Sequence, residues 1–167
     1  MHCFFKVFLA LCLALTVSAC SKPAAWASDE DLAKVQYRDA GPTKLTLFTM
    51  INNRSGVGAH TSLMISASQR VIWDPAGSFY HPSIPERNDV LFGISPRVAD
   101  VYTRYHARET FHVIVQELEV SPDVAEKALQ LALARGNVGD AQCALSTSGI
   151  LSQLSGLESV SVGWYPK

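Results

Sequence analysis

Four cysteines stand in the chain, at positions 3, 12, 20 and 143, and a thiol is the side chain that most readily becomes a strong nucleophile near neutral pH. Cys143 is set apart from the other three, which all fall within the first twenty residues. A nucleophilic thiol needs a base, and the base needs a group that fixes its tautomer. Beyond the first twenty residues the candidate bases are His60, His81, His106 and His112. His60 follows Gly58-Ala59, which leave room beside its ring, and opens the aliphatic run Thr61-Ser62-Leu63-Met64-Ile65. A turn at 67–69 would fold Ile72-Trp73-Asp74 back along that run and bring the Asp74 carboxylate beside the imidazole. Thiol, imidazole and carboxylate together are the parts for acyl transfer through a thioester. Each also has a plainer reading: Cys143 as a small buried hydrophobe, His60 as a strand residue, Asp74-Pro75 as a turn opener.

The remaining side chains offer less. His81 precedes Pro82 and reads as a surface loop residue, while His112 lies on the polar face of a strand. No His or Cys pair has metal-ligand spacing, since His60, His106, His112 and Cys143 are scattered along the chain, so neither a metal nor another cofactor is expected. Residues 146–149 do not form the Gly-x-Ser-x-Gly of a serine hydrolase.

The elements that must position these groups follow from periodicity. Alternating, β-branched stretches predict strands at 44–52, 59–66 and 70–73, and another at 110–120. Between them, 74–105 collects Pro75, Pro82, Pro85, Pro96, Gly77 and Gly93 and reads as a long irregular region with one short helix at 98–105. A helix then runs from Pro122, capped by Ser121, to a stop at Gly136. A second is expected after Gly139, with Asp140 as N-cap, Cys143 at the third position and Gly156 closing it. A thiol in a first helical turn faces unpaired backbone N–H groups and the positive dipole end. Both lower its pKa, and the N–H of Cys143 itself could hold a developing oxyanion.

A His-bearing strand after small residues, an acidic residue closing the next strand, a helix, and then a cysteine opening another helix: this order resembles the circularly permuted branch of the NlpC-type papain-like superfamily over about 44–165. The resemblance implies an α+β domain, an antiparallel sheet or partial barrel packed against helices that include the one bearing the cysteine. It also implies Cys143 as nucleophile, His60 as base and Asp74 as the orienting third residue. Gln142 stands where such families often have Asn, and their third residue is more often His, Asn, Gln or Glu.

Hydrophobic residues make up 48% of the chain and charged ones 17%, which excludes a disordered polymer, and much of the apolar excess sits in residues 1–19. A short charged start, an apolar run at 7–17 and small residues before Cys20 read as a secretory signal too short to span a membrane. Val17-Ser18-Ala19-Cys20 resembles a bacterial lipobox, which implies lipidation of Cys20, and Ser21 after it resembles sorting to the outer membrane. Residues 20–42 would then be a lipidated tether and 43–167 the domain, facing the periplasm. The formal net charge of −1 gives no basic field for nucleic acid. The function expected is an envelope-anchored thiol hydrolase or acyltransferase acting on an amide, most simply in a peptidoglycan peptide. The alternative is a non-enzymatic outer-membrane lipoprotein that uses the fold for binding or assembly.

Overall fold

Aliphatic and β-branched residues build two nine-residue strands, β1 (Lys44–Asn52) and β2 (Gly58–Ser66), which pair antiparallel. In the computed structural model, which describes residues 25–166, the chain turns at 67–69 as expected: Ser66 faces Arg70, and β3 (Arg70–Trp73) returns along β2. Cys20 and the expected signal segment lie outside the described residues. The two-residue strands β4 (Glu86–Arg87) and β5 (Val90–Leu91) extend the sheet past β3, and β6 (Phe111–Glu119) pairs with the far side of β1. The product is a six-stranded antiparallel sheet in the order β4-β5-β3-β2-β1-β6.

Among the described residues, four helices complete an α+β architecture: α1 (Asp29–Lys34), α2 (Pro96–His106), α3 (Pro122–Arg135) and α4 (Cys143–Leu151). The first three begin alike. Ser28, Ser95 and Ser121 hold extended backbone and each accepts a hydrogen bond from the N–H three residues on. Pro96 and Pro122 occupy the first position of their helices, where a missing N–H costs nothing. This makes α2 longer than the helix expected at 98–105, because Pro96 starts it instead of lying in a loop.

Helices cover both faces of the sheet. On one, Leu45, Leu63, Ile65, Val71 and Trp73 pack with the α3 residues Ala125, Ala128 and Leu129 and with Ile150 of α4. On the other, Phe48, Met50, Met64 and Ile72 pack with Phe79, Ile94 and Tyr102. With a helix layer on each side, all four residues of β3 are buried, so burial does not follow the alternation by which the strand is read in the sequence.

The cysteine-bearing helix departs from expectation at both ends. Cys143 is its first residue, and Gln142, with no side-chain capping bond, occupies the N-cap. Asp140 is not the cap, because Ala141 between them adopts a left-handed φ of 62° that breaks the helical path. The helix stops at Leu151, not at Gly156. Beyond it Gln153 and Leu154 donate to carbonyls three residues back, so the chain tightens into turns that still bury Leu154. Part of the expected tether also contacts the domain. The Arg87 guanidinium lies over Trp26 and donates to Asp29 at 2.8 Å, and Arg70 donates to Asp39 at 2.9 Å beneath the Tyr37 ring. Among the described residues no helix is long and apolar enough to cross a membrane.

Candidate active site

The site is built where β3 stops. Pairing of β3 with β2 covers only Leu63–Ser66, so from Gly58 to Ser62 the side of β2 away from β1 is open. Asp74, the residue after Trp73, turns into that opening, and the start of α4 arrives there from the helical layer. A register shift in the β1–β2 ladder leaves Ala59 unpaired immediately before His60, which Met50 faces. An extra residue of this kind bends the strand and re-aims the neighbouring side chain.

The three residues singled out by sequence come together. His60 Nε2 and Asp74 Oδ1 are 2.7 Å apart, and Asp74 is 4% exposed. The Cys143 thiol lies close enough to the His60 ring for each to shift the other's titration. A carboxylate can only accept, so the Tyr102 hydroxyl, 2.8 Å from the same Oδ1, must donate to it. Its single proton so committed, Tyr102 accepts from the Ser62 hydroxyl at 2.7 Å. One buried oxygen thus accepts hydrogen bonds from both an imidazole and a phenol.

These contacts set the protonation states. Burial works against a charged His60, but the hydrogen bond to Asp74 and then the contact with Cys143 outweigh it, and its pKa rises to about 10. Burial pushes the Cys143 thiol up, and the His60 contact together with the backbone N–H groups of Thr61 and Ala144 more than reverses this, so the thiol titrates below its ordinary value. Thr61 can serve because its N–H lies on the side of β2 that β3 leaves open, and Ala144 because it is in the first turn of α4, where no intrahelical acceptor exists. The pair is thereby shifted toward thiolate and imidazolium. Thr61 and Ala144 are thus backbone donors to the sulfur itself, distinct from the oxyanion donor expected at the Cys143 N–H.

Three more residues support the site, and none was legible as such. A side chain at Gly77 would collide with the Asp74 carboxylate, so only glycine leaves that carboxylate its place. Asp89, 7% exposed, accepts from the N–H of Ala76 at 3.2 Å and of Val138 at 2.8 Å, while its carbonyl accepts from the N–H of Asp74 at 2.8 Å. It ties the turn holding Asp74 to the loop that leads into α4. His106, from the last turn of α2, stacks on His60 with centroids 6.0 Å apart. Its Nδ1 donates to the Tyr102 carbonyl at 2.9 Å, which leaves Nε2 as the acceptor. Burial, with help from His60 and Arg108, holds His106 below the usual histidine pKa. No sequence pattern links 60, 74 and 106; only the packing of α2 on the sheet does.

That packing corrects one expectation about metals, since His60 and His106 are not scattered in space. One ligand atom from each of His60, Asp74 and His106 lies within 4.8 Å of the others. They are the described residues that could hold a cation, which would have to displace the proton shared by His60 and Asp74. The other histidines stand apart: His81 is exposed and pairs with Ser83, and His112 pairs with Asn53 at 2.6 Å on the exposed side of β6. Comparison with protein-family models, with curated proteins and with solved structures gives no match.

Proposed function

We propose that this chain is a thiol-dependent hydrolase or acyltransferase in which Cys143 is the nucleophile, His60 the base and then the acid, and Asp74 the group that orients the ring. One observation carries the reading: a single imidazole spans a buried carboxylate at 2.7 Å and a thiol whose pKa is lowered in spite of burial. The Cys143 thiolate attacks a carbonyl carbon, forming a C–S bond, while the Cys143 N–H is the donor expected for the developing oxyanion. His60 gives its proton to the departing nitrogen or oxygen as that bond breaks. It then takes a proton from water, or from another acceptor, which releases the acyl group from sulfur.

The permuted papain-like arrangement, the lipid on Cys20, residence at the outer membrane facing the periplasm, and a peptidoglycan peptide as the amide substrate belong to the same proposal. They rest on the sequence resemblance. The competing reading, a lipoprotein that binds without catalysis, draws on the burial of Cys143, which is 6% exposed.

Labelling of Cys143 by iodoacetamide as a function of pH separates the two. For the nucleophile reading, the rate rises through a pKa below that of an ordinary thiol. In His60→Ala the cation is gone while burial and the Thr61 and Ala144 N–H groups remain, so the same curve moves to higher pH than in the parent. Turnover, unlike labelling, falls again as His60 loses its proton near about 10. Protection of Cys143 until denaturation, in both proteins, overturns the enzyme.

A further inference from the structure

Two cavities lie beside the site, the first walled in part by Thr61 and Ala144, which follow His60 and Cys143 in the chain, the second by His60 itself, and they differ in what lines them. The first, of about 290 Å³, runs between α4 and the sheet under the segment 160–166. Its walls come from Leu47, Thr49 and Thr61 of the sheet and from Ala144, Ser148 and Leu151 of α4, and no wall residue is charged. The outer wall is held in place: the Gly163 N–H donates to the Ser148 hydroxyl at 3.1 Å, and Gly58 lies so close to the Pro166 backbone that no side chain would fit. The second cavity, of about 270 Å³, is lined by His60 itself with Gly77, Ser78, His106 and Arg108.

Catalysis distinguishes the two sides. The leaving group takes its proton from His60, and the water that follows gives its proton to His60, so both must occupy the side that His60 faces. That is the second cavity, where His60, His106 and Arg108 stand beside Met50, Ala59 and Phe111. The acyl group, by contrast, stays bound to Cys143 between the two steps. Thr61 and Ala144, whose N–H groups face the sulfur, line the first cavity and form its near end. From Ala144 to Leu151 it follows one face of the helix for about 10 Å, at 1.5 Å per residue.

We propose that the first cavity is the acyl pocket: it takes an uncharged aliphatic group attached to the carbonyl that Cys143 attacks, while leaving group and water use the second. This rests on Cys143 as nucleophile. The volume lies at the lower end of the roughly 300–1,000 Å³ of ligand sites, so it suits an amino-acid side chain or a short acyl chain and excludes a long lipid chain.

The probes are the p-nitrophenyl esters of acetate, hexanoate, palmitate and N-acetyl-leucine. The readouts are the burst of p-nitrophenolate and the mass of the adduct on Cys143 of the full chain. Hexanoate or N-acetyl-leucine should acylate at least tenfold faster than acetate, and palmitate should lose that advantage. The faster of the first two says whether the pocket is shaped for an acyl chain or a peptide side chain. Leu151→Trp, at the far end, should abolish the advantage, bringing the ratio of the hexanoate to the acetate rate to about one. Leu47→Phe makes the same test from the sheet should the first variant fail to fold. Equal rates for acetate and hexanoate, or a uniform loss for all esters in both variants, overturn the pocket alone. Labelling by iodoacetamide without acylation by any ester overturns the acyl-transfer reading, and the pocket with it.

Discussion

A carboxylate oxygen that accepts from an imidazole and a phenol at once can be tested one donor at a time. Tyr102→Phe removes the phenol proton from Asp74 and strands the Ser62 hydroxyl in the core. The expected loss is about 1.5–3 kcal/mol in urea unfolding, the size of a hydrogen bond to a charged group. Iodoacetamide labelling should slow less than tenfold, because His60 keeps its partner. Gly77→Ala acts on the other donor. The new methyl occupies the carboxylate's place, so labelling should fall to the level of Asp74→Ala while the fold remains. At this scale the sequence was informative where chemistry is local. His60 and Asp74 were legible because a three-residue turn fixes which strand residues meet across a hairpin. Tyr102, His106 and Asp89 were not, because they reach the site from α2 and from a loop with no periodic pattern to announce where they go.

Among the elements, α4 is the one whose start decides the chemistry, and it begins on a strained residue. Ala141 holds a left-handed φ of 62° just before the N-cap, a conformation that costs an alanine about 1 kcal/mol and a glycine little. Ala141→Gly should therefore raise the midpoint of thermal unfolding, with a gain of about 0.5–1 kcal/mol, and leave the labelling profile of Cys143 in place. A lower midpoint would show that the alanine side chain contributes more than its backbone costs. The strands and α3 were readable from alternation, capping serines and glycine stops. The ends of α4 were not: the acidic residue before it looks like a cap, and only the reversal at Ala141 shows that the chain turns away first. Its early stop agrees with the run Ser146-Thr147-Ser148-Gly149, whose residues propagate a helix poorly.

For the whole molecule, the buried imidazoles make stability depend on pH in opposite directions. His60 has a raised pKa, so its contribution is complete below the ordinary histidine range and is lost as pH climbs toward about 10. Cys143 has a lowered one, and its contribution fades as pH falls through that lowered value. His106 is also lowered, so the unfolded chain binds the proton more readily than the folded one, and stability drops as pH falls below about 6.5. Urea midpoints measured from about pH 5 to 8 should fall on the acid side, and His106→Gln should flatten that limb. An unchanged acid limb would mean that other groups carry it.

The tie made by Asp89 has a dynamic consequence. One carboxylate holds the amides of Ala76 and Val138, which lie on two segments far apart in sequence and which lead, respectively, from Asp74 and to Cys143. Neither segment can open without leaving that buried charge short of a donor, so the two should open as one cooperative unit. Native-state hydrogen exchange should then report matched opening free energies for those two amides, and Asp89→Asn should lower both together. The catalytic parts would rise and melt as a single foldon, never one without the other.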